Sequence, residues 1–448
     1  MRILLISPNT LTVPYPVYPL GLDYVAGSVA VEHEVRIADM QVIDRDTLAR
    51  ILEDFAPEII GLACRNIDNT DAQDPLFFVS GYQELVAWLR ERSKAVIVCG
   101  GCGFTIMPEQ IFTMLGVDYG IIGEGERFGL LVEALSCNRN PAEIPGVLGI
   151  GGSATPPSPW PGKVIRKFAG KVEHTRFYVQ NGGMLNLQSK RGCSFRCIYC
   201  PYPRIEGRTH RLTEPDEVAA TALQLQDAGA KYFFITDSAF NSDVTHSLAV
   251  ARALQSAGVT LPWGAFFAPI KLPADYFKIM AAAGCRHVEF GSESLSDTML
   301  KAYRKPFLRQ DVLNAHRQAR DAGLHVAHYL LLGGPGESAT TVVESLEAIK
   351  QIDKAVFFFF IGIRIYPGTS LYDMALAEGK INEQTDLLQP VFYAPDAIDR
   401  ATIEILVSQQ AEGRSNWVLG SGGADTAKVI DTMHRRGYTG PLWEYLAR

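Results

Sequence analysis

The sequence predicts an α/β protein with a Rossmann-like parallel-sheet domain, a partial (β/α)6 barrel of the TIM type and a short helical C-terminal tail. Strand-like and helix-like segments alternate over the first 140 residues, and the alternation resumes near residue 181. A stretch rich in Gly, Pro and Ser separates the two regions. Such alternation is typical of parallel sheets covered by helices. The predicted boundaries are 1–140 for the first domain, 141–180 for a linker, 181–381 for the barrel and 382–448 for the tail.

Apolar or β-branched runs predict five strands in the first domain: Arg2–Ser7, Glu34–Ala38, Ile59–Cys64, Ala95–Cys99 and Tyr119–Ile122. Helical spacing predicts five helices: Leu20–Val31, Asp46–Phe55, Tyr82–Arg92, Pro108–Leu115 and Arg127–Leu135. The linker contains four prolines between Pro156 and Pro161 and shows no sustained hydrophobic period. Ligands of a parallel sheet bind beyond the carboxyl ends of its strands, so we expect the functional loops there.

Six strand and helix units predict the barrel. Its strands are predicted over Leu185–Gln188, Tyr232–Thr236, Leu261–Phe267, His287–Phe290, His325–Leu332 and Val356–Ile363. Its helices are predicted over Glu214–Ala228, Val244–Ala257, Ala274–Ala283, Asp297–Ala302, Gln310–Ala322, Ala339–Ile352 and Leu371–Ala377. In the tail, helical pieces are predicted around Thr402–Ala411 and Ala427–Arg436.

Composition excludes several classes of protein. The chain has 448 residues, 47% of them hydrophobic, and a net charge of −7 without a block of Lys or Arg, which argues against a nucleic-acid partner. The N-terminal apolar run stops at Pro8, so it predicts a strand and not a signal peptide. The most apolar stretch, Val356–Ile363, is too short for a transmembrane segment. We therefore expect a cytoplasmic protein, in which clustered cysteines bind metal more often than they form disulfides.

Three of the eight cysteines, Cys193, Cys197 and Cys200, lie within eight residues. Thiolates are soft ligands, and three of them on one loop can hold three irons of a four-iron cluster and leave the fourth iron open. A structural zinc site would need a fourth Cys or His, and the nearest histidine is His210, beyond two prolines. Simple burial of the triplet is the other alternative. The remaining five cysteines, in apolar or isolated contexts, are predicted to be small buried hydrophobes.

The spacing Cys-x3-Cys-x2-Cys, with Tyr199 before the last cysteine and a barrel strand before the first, resembles the radical S-adenosylmethionine (radical SAM) superfamily. The resemblance implies a [4Fe-4S] cluster whose open iron chelates the amino and carboxylate groups of SAM. One electron then splits SAM into methionine and a 5′-deoxyadenosyl radical. It also implies an electron donor such as flavodoxin or ferredoxin.

Further barrel loops resemble the weaker motifs of that superfamily. Asp237 and Ser238 close the second strand, where the family contacts the methionine amine, although an Asp here could equally cap the following helix. A segment after the fourth strand resembles the one that meets the ribose and the carboxylate, with Arg304 or its neighbour Lys305 as the basic group. The predicted SAM-site residues are Tyr199, Asp237, Ser238, Glu293, Ser294 and Arg304.

The first domain resembles the cobalamin-binding domain of one large branch of these enzymes. The matching segments are Tyr18–Leu22, Glu58–Leu62, Val98–Phe104 with Pro108 and Glu109, and Asp118–Glu126. Glycines after a strand leave room for a bulky ligand against the backbone, although a lone Gly-Gly-x-Gly fits any nucleotide. The predicted cobalamin contacts are Gly100, Gly101, Gly103, Phe104, Gly123, Glu124, Gly125, Arg65 and Asn66.

Two features of this domain leave alternatives open. The polar loop that begins at Arg65 suits corrin amides or a substrate facing the barrel, and a solvated loop with Asx turns is equally compatible. The Asp-x-His-x-x-Gly pattern that supplies a lower axial histidine is absent, and His33, the domain's one histidine, is expected at a helix end on the surface.

The resemblance implies an enzyme that methylates an unactivated carbon of a small-molecule, lipid or cofactor precursor with cobalamin and SAM. A non-methylating radical reaction, such as cyclisation or rearrangement, is the first alternative. Methylthiolation would need a second cluster, for which Cys64, Cys99 and Cys102 are the candidates. A corrinoid-binding sensor or carrier with a decayed barrel is the alternative outside enzymes, and the intact triplet argues against it.

Overall fold

The computed structural model describes residues 1–12, 15–152, 157–420 and 422–447. It contains the two predicted α/β units, and within the described residues no helix is both long and apolar enough to cross a membrane.

The first unit is a six-stranded sheet with the strand order β2-β1-β3-β4-β5-β6. The strands are β1 (Arg2–Ser7), β2 (Glu34–Asp39), β3 (Ile59–Ala63), β4 (Val96–Gly100), β5 (Tyr119–Ile121) and β6 (Val147–Gly149). The helices are α1 (Leu20–Ser28), α2 (Arg45–Phe55), α3 (Val79–Arg92), α4 (Cys102–Ile106), α5 (Pro108–Leu115) and α6 (Arg127–Ser136). β1 to β5 pair in parallel, whereas β6 pairs antiparallel with β5.

The sheet therefore extends into the region predicted as a linker. β6 has only three residues, too few to show a period, and it is recognisable only by its pairing of Val147 with Ile121. A helix, α7 (Glu173–Gln180), also lies in the predicted linker.

The second unit is a seven-stranded parallel sheet with the order β17-β14-β13-β12-β11-β10-β7. Its strands and two small hairpins are β7 (Met184–Leu187), β8 (Lys190–Arg191), β9 (Arg211–Leu212), β10 (Tyr232–Ile235), β11 (Trp263–Phe267), β12 (Cys285–Glu293), β13 (His325–Leu332), β14 (Ala355–Ile361), β15 (Ile363–Arg364), β16 (Phe392–Tyr393) and β17 (Trp417–Leu419). The helices are α8 (Tyr202–Ile205), α9 (Pro215–Asp227), α10 (Val244–Ser256), α11 (Tyr276–Ala282), α12 (Asp297–Ala302), α13 (Arg309–Asp321), α14 (Ala339–Ile349), α15 (Ser370–Ala377), α16 (Arg400–Ala411) and α17 (Gly423–Arg435).

The tail is not purely helical, because β17 adds a seventh strand to the predicted six. Phe357 pairs with Trp417, and the two aromatic rings lie in edge contact 5.9 Å apart. The tail segment also returns to the barrel near its last residues, where the Trp443 indole N–H donates to the buried Glu289 carboxylate at 3.0 Å.

One apolar core joins the two units. Phe104 and Ile111 of the first domain belong to the same buried cluster as Ile198, Met299 and Leu371 of the barrel. Two buried polar contacts cross the same boundary. The Arg364 guanidinium pairs with Asp68 at 2.8 Å, and the Tyr178 hydroxyl donates to Asp39 at 2.7 Å. The pair of Arg364 with Asp68 joins the segments that follow β14 and β3, at the carboxyl ends of the two sheets.

Candidate functional site

The cysteine loop follows β8 and encloses one side of a cavity of about 250 Å³. Gly192 opens the loop with φ +88, and a Cβ there would lie 2.2 Å from the Thr209 carbonyl oxygen. The Cys193 N–H donates to the Gly207 carbonyl oxygen at 3.1 Å, which holds the loop against its return strand. The described cavity lining comprises Cys193, Phe195, Cys197, Tyr199, Cys200, Tyr202, Pro203, Ser238, Ala239, Phe266, Phe267, Ala268, Gly291, Glu293, Lys305 and Tyr329.

The three thiols line this cavity and do not converge on one point. In the described part of the chain, no three Cys, His, Asp or Glu side chains are close enough to hold a single metal ion. Burial raises the pKa of the Cys200 thiol to about 12. Thiolates at such a depth need a cation beside them, and iron supplies one. The donor set and the cavity therefore fit a cluster with three cysteine ligands.

Opposite the thiols, polar groups form a small network. The Lys305 ammonium donates to the Glu293 carboxylate at 3.0 Å and to the Tyr199 hydroxyl at 3.2 Å. Glu293 has φ +60, at an irregularity in the pairing of β12 with β13, and this turns its side chain towards Lys305. The Ser238 hydroxyl is buried at the cavity and has no hydrogen-bond partner within the described chain. An unpaired buried hydroxyl is costly, so this atom is suited to a ligand.

The structure assigns Asp237 a different role from the predicted contact with SAM. Its carboxylate is buried, pairs with Lys190 at 3.0 Å and accepts from the Ser189 N–H at 2.8 Å. It does not cap the following helix either, because Asp243 accepts from the His246 N–H. Asp237 therefore fixes Ser189 and Lys190, shortly before the cysteine loop.

Two further predicted SAM contacts lie outside the cavity. Ser294 is fully buried, and its hydroxyl pairs with that of Ser345 at 2.9 Å. Arg304 is exposed and donates to the Ser370 hydroxyl at 3.0 Å, because its backbone has φ +54 just after α12 and turns the side chain outwards. Lys305 faces the cavity instead. The contact of Tyr199, Ser238 and Glu293 with SAM stays a prediction, and their placement at the cavity is consistent with it.

A second cavity of about 320 Å³ lies between the carboxyl ends of the first sheet and the barrel. Six predicted cobalamin contacts line it: Arg65, Gly100, Gly101, Gly123, Glu124 and Gly125. Gly101 has φ +114, and a Cβ there would lie 2.8 Å from the Cys64 carbonyl oxygen. None of the described residues that line this cavity is a histidine. His33 lies away from it, with its Nδ1 3.0 Å from the N-terminal amine.

Three predicted cobalamin contacts, Gly103, Phe104 and Asn66, are not among the residues that line the cavity. The Phe104 ring is fully buried against Gly120, where a Cβ would lie 2.2 Å from the ring. Gly103 allows close packing, since a Cβ there would lie 2.9 Å from the Asn66 carbonyl carbon. The Asn66 carbonyl oxygen accepts from the Tyr82 hydroxyl at 3.0 Å. Phe104 and Gly103 therefore contribute to packing beneath the loop, and Asn66 is half-buried beside it.

The polar loop after β3 is partly a cavity wall and partly a loop organised by Asx turns, which are the two alternatives that the sequence left open. Arg65 lines the second cavity, whereas Asx-type contacts organise the rest, for example the Thr70 N–H to the Asp68 carboxylate at 2.9 Å. Asp68 also forms the buried ion pair with Arg364.

A charged cluster forms the wall between the second cavity and the cysteine loop. The Arg191 guanidinium pairs with Glu124 at 3.0 Å and with Glu126 at 2.7 Å. Arg211 adds a further pair with Glu124 at 2.7 Å. Because Arg191 is two residues from Cys193, this cluster links the first domain directly to the cysteine loop.

Several lining residues were not predicted from the sequence. Tyr202 lines both cavities, so the two cavities share a wall. Glu206 lines the second cavity, and burial raises the pKa of its carboxyl. Phe266 and Tyr329 line the first cavity in edge contact, 6.1 Å apart. Because side chains alternate between the two faces of a strand, the sequence places each of these residues on one face of the sheet. It does not tell which face lines the cavity.

The candidate residues for a second cluster are separated. Cys64 and Cys99 face each other in the core with their sulfurs 3.0 Å apart, whereas Cys102 lines the second cavity.

Comparison with protein families matches residues 187–349 to the Radical SAM superfamily and residues 6–130 to the B12 binding domain. The chain therefore contains a Radical SAM domain and a B12 binding domain. The two matches coincide with the barrel and the first sheet, in the order predicted for this branch of the superfamily.

This radical SAM protein is similar along most of its length to named methyltransferases. Tryptophan 2-C-methyltransferase of Streptomyces laurentii is 25% identical, over 81% of this chain and 72% of its own length. An uncharacterized methyltransferase of Pyrococcus horikoshii is 27% identical, over 84% and 83%. Cytidylyl-2-hydroxyethylphosphonate methyltransferase of Streptomyces wedmorensis is 23% identical, over 87% and 84%.

Solved structures confirm the fold. The radical SAM methyltransferase of Kitasatospora setae, solved with cobalamin and a [4Fe-4S] cluster, superposes with a TM-score of 0.86 at 22% identity, covering 100% of this chain and 97% of that one.

Proposed function

We propose that this radical SAM protein is a cobalamin-dependent methyltransferase acting on a carbon atom of a small-molecule or lipid-like precursor. The observation that carries the proposal is the shared wall at Tyr202, which lies between the three-thiol cavity and the glycine-lined cavity of one chain. Three relatives that match most of this chain are named as methyltransferases, and two of those names specify small substrates, which supports the reaction class and the substrate class.

The two cofactors would supply reductive cleavage of SAM at the cluster and a transferable methyl group at the cobalt. The chain's own residues hold and orient them. Cys193, Cys197 and Cys200 would ligate three irons. Lys305 presents a cation suited to the SAM carboxylate, and the unpaired Ser238 hydroxyl presents a hydrogen-bonding group.

At the second cavity, Gly100, Gly101 and Gly125 would let the corrin approach the backbone. Arg65 lies on the same wall and can donate to corrin side-chain amides. We also propose that an acidic one-electron carrier, a flavodoxin or ferredoxin, reduces the protein. We propose further that the protein works in the cytosol, because three closely spaced thiols need a reducing compartment.

The test is anaerobic reconstitution with iron, sulfide and hydroxocobalamin, followed by desalting and product analysis with SAM. We expect bound iron, a retained corrin spectrum and, under reduction, S-adenosylhomocysteine, because methyl transfer from SAM leaves that product. Cys197→Ala should lose the iron chromophore, whereas Cys285→Ala, which removes a buried thiol in β12, should keep it.

The outcomes separate the alternatives. Deoxyadenosine without S-adenosylhomocysteine would favour a non-methylating radical enzyme. Retained corrin with no product from SAM would favour a sensor or carrier. Failure to retain corrin would refute the proposed function.

A further inference from the structure

Four exposed cations lie on the cysteine loop or on the segments next to it: Arg196, Arg204, Lys301 and Arg304, here called the cationic collar. Arg196 is next to Cys197 in the chain, so their Cα atoms are about 3.8 Å apart. Over the whole chain acidic residues outnumber basic ones by seven. The collar therefore reverses the overall sign of charge close to the three thiols.

Backbone contacts hold the collar against the cysteine loop. The Leu371 N–H donates to the carbonyl oxygen of Ile198 at 2.9 Å, and the Ile198 N–H donates to the Tyr303 carbonyl oxygen at 3.2 Å. The turn before Leu371 and the helix before Tyr303 are thereby fixed on the loop between Cys197 and Cys200.

Two collar arginines contact that same turn. The Arg204 guanidinium donates to the Pro367 carbonyl oxygen at 2.8 Å, and the Arg304 guanidinium donates to the Ser370 hydroxyl at 3.0 Å. Lys301 lies on α12, where its carbonyl oxygen accepts from the Arg304 N–H at 3.0 Å. Each of the four cations therefore lies on the cysteine loop or on a segment that is hydrogen-bonded to it or follows it directly in the chain.

Three carboxylates lie near the collar: Glu206, Asp297 and Asp373. Glu206 accepts from the Gly192 N–H at 3.1 Å on the inner side of the loop. Asp297 accepts from the Arg309 N–H at 2.7 Å. Asp373, on α15, is an exposed carboxylate beside the collar and offsets part of its charge. Four cations against these three carboxylates still leave the collar with a net positive charge.

We propose that the cationic collar is the docking surface for an acidic one-electron carrier protein of the flavodoxin type. The inference rests on the proposed function, because that function requires an electron at the cysteine loop. Complementary charge steers a transient partner to this loop, and electron-transfer complexes have small interfaces that depend on such steering. In the transfer, the anionic flavin hydroquinone loses one electron and becomes the neutral semiquinone, and the cluster gains that electron without movement of a proton.

The first test measures the rate at which flavodoxin hydroquinone reduces the reconstituted protein, by anaerobic stopped-flow absorbance at low salt. The variant Arg196→Glu with Lys301→Glu should be reduced about tenfold more slowly or worse, since steering changes association rates by ~10- to 1,000-fold. The wild-type rate should fall with added salt, and the difference between the two proteins should shrink.

The control variant is Arg252→Glu with Lys278→Glu, which makes the same change in net charge at exposed positions of the outer helices α10 and α11. It should be reduced at nearly the wild-type rate. Equal rates for the collar variant and the wild type, or equal slowing by the control, would overturn the proposal. Dithionite needs no docking surface but is itself an anion, so it is used at high salt, where charge steering is screened, and should then reduce all three proteins alike.

A second readout does not depend on the loaded cluster. Carbodiimide forms an amide between a lysine and a partner carboxylate in contact, so Lys301 should be the main site of cross-linking to flavodoxin, mapped by mass spectrometry. Cross-links concentrated on lysines away from the collar would refute the docking surface. Failure of dithionite to reduce any form, or absence of iron in the wild type, would count against the proposed function and not against the collar.

Discussion

The buried pair between Lys190 and Asp237 offers a test that separates a structural role from a ligand role. Both side chains are about 1% exposed and are 3.0 Å apart, and the Lys190 ammonium also donates to the carbonyl oxygens of Ala239 and Phe240. Asp237→Asn removes the negative charge and leaves the ammonium buried with neutral acceptors only. Breaking one partner of a buried pair costs about 3–5 kcal/mol.

The assay is urea unfolding at pH 7.5, followed by the fluorescence of the five tryptophans, of which Trp263 is fully buried in the barrel. We expect Asp237→Asn to lower the free energy of unfolding by about 3–5 kcal/mol. Asp321→Asn, at an exposed helix position, should change it by less than about 0.5 kcal/mol. The folded Asp237→Asn protein, after reconstitution, should bind SAM with nearly the wild-type dissociation constant. Wild-type stability combined with a loss of SAM binding would refute the structural role.

Three further predictions follow from the geometry. Lys305→Met should weaken SAM binding to the reconstituted protein about 10- to 100-fold, which is the cost of a lost charged hydrogen bond. Arg304→Gln should leave the dissociation constant for SAM, measured by equilibrium dialysis, unchanged. A larger effect of Arg304→Gln than of Lys305→Met would show that Lys305 is the wrong cation for the cavity. Gly120→Ala should lower the free energy of unfolding by about 1–3 kcal/mol, because its Cβ would overlap a buried aromatic ring. Gly81→Ala, at an open position of a helix, should raise it by up to about 1 kcal/mol. Equal effects of the two substitutions on unfolding in urea would contradict this packing. Burial lowers the pKa of His316 to about 4, below its unfolded value near 6.5, so the unfolded chain binds the extra proton and stability is lost as pH falls through this window. The wild type should lose about 2 kcal/mol between pH 7.5 and 5 from this group, and His316→Asn should lose correspondingly less in the same titration.

Local patterns predicted the parts of the site that depend on spacing. The three cysteines are separated by three and two residues, so any compact loop brings them to one cavity. The glycines at 100, 101, 123 and 125 follow strands whose carboxyl ends meet at one edge of the sheet, and they line one cavity as expected.

The sequence could not predict positions that depend on the direction of a side chain. Phe104 follows the glycine loop, but a helical turn points its ring into the core against Gly120. β17 has three residues and becomes recognisable as a strand only where Phe357 pairs with Trp417. Neither the direction of the Phe104 ring nor a three-residue strand produces a hydrophobic periodicity in the sequence.

By itself, the sequence determined that this is a two-domain α/β chain with a three-cysteine loop after the first barrel strand, because strand and helix periodicity and cysteine spacing are local properties. Only the tertiary structure decided that Lys305 and not Arg304 faces the cysteine cavity. It also decided that Asp237 forms a buried ion pair with Lys190 and that Tyr202 separates the two cavities. Neighbouring residues with similar chemistry point in opposite directions when the backbone turns at a positive φ, as it does at Arg304. A buried charge is assigned to its partner by packing between segments that are distant in the chain.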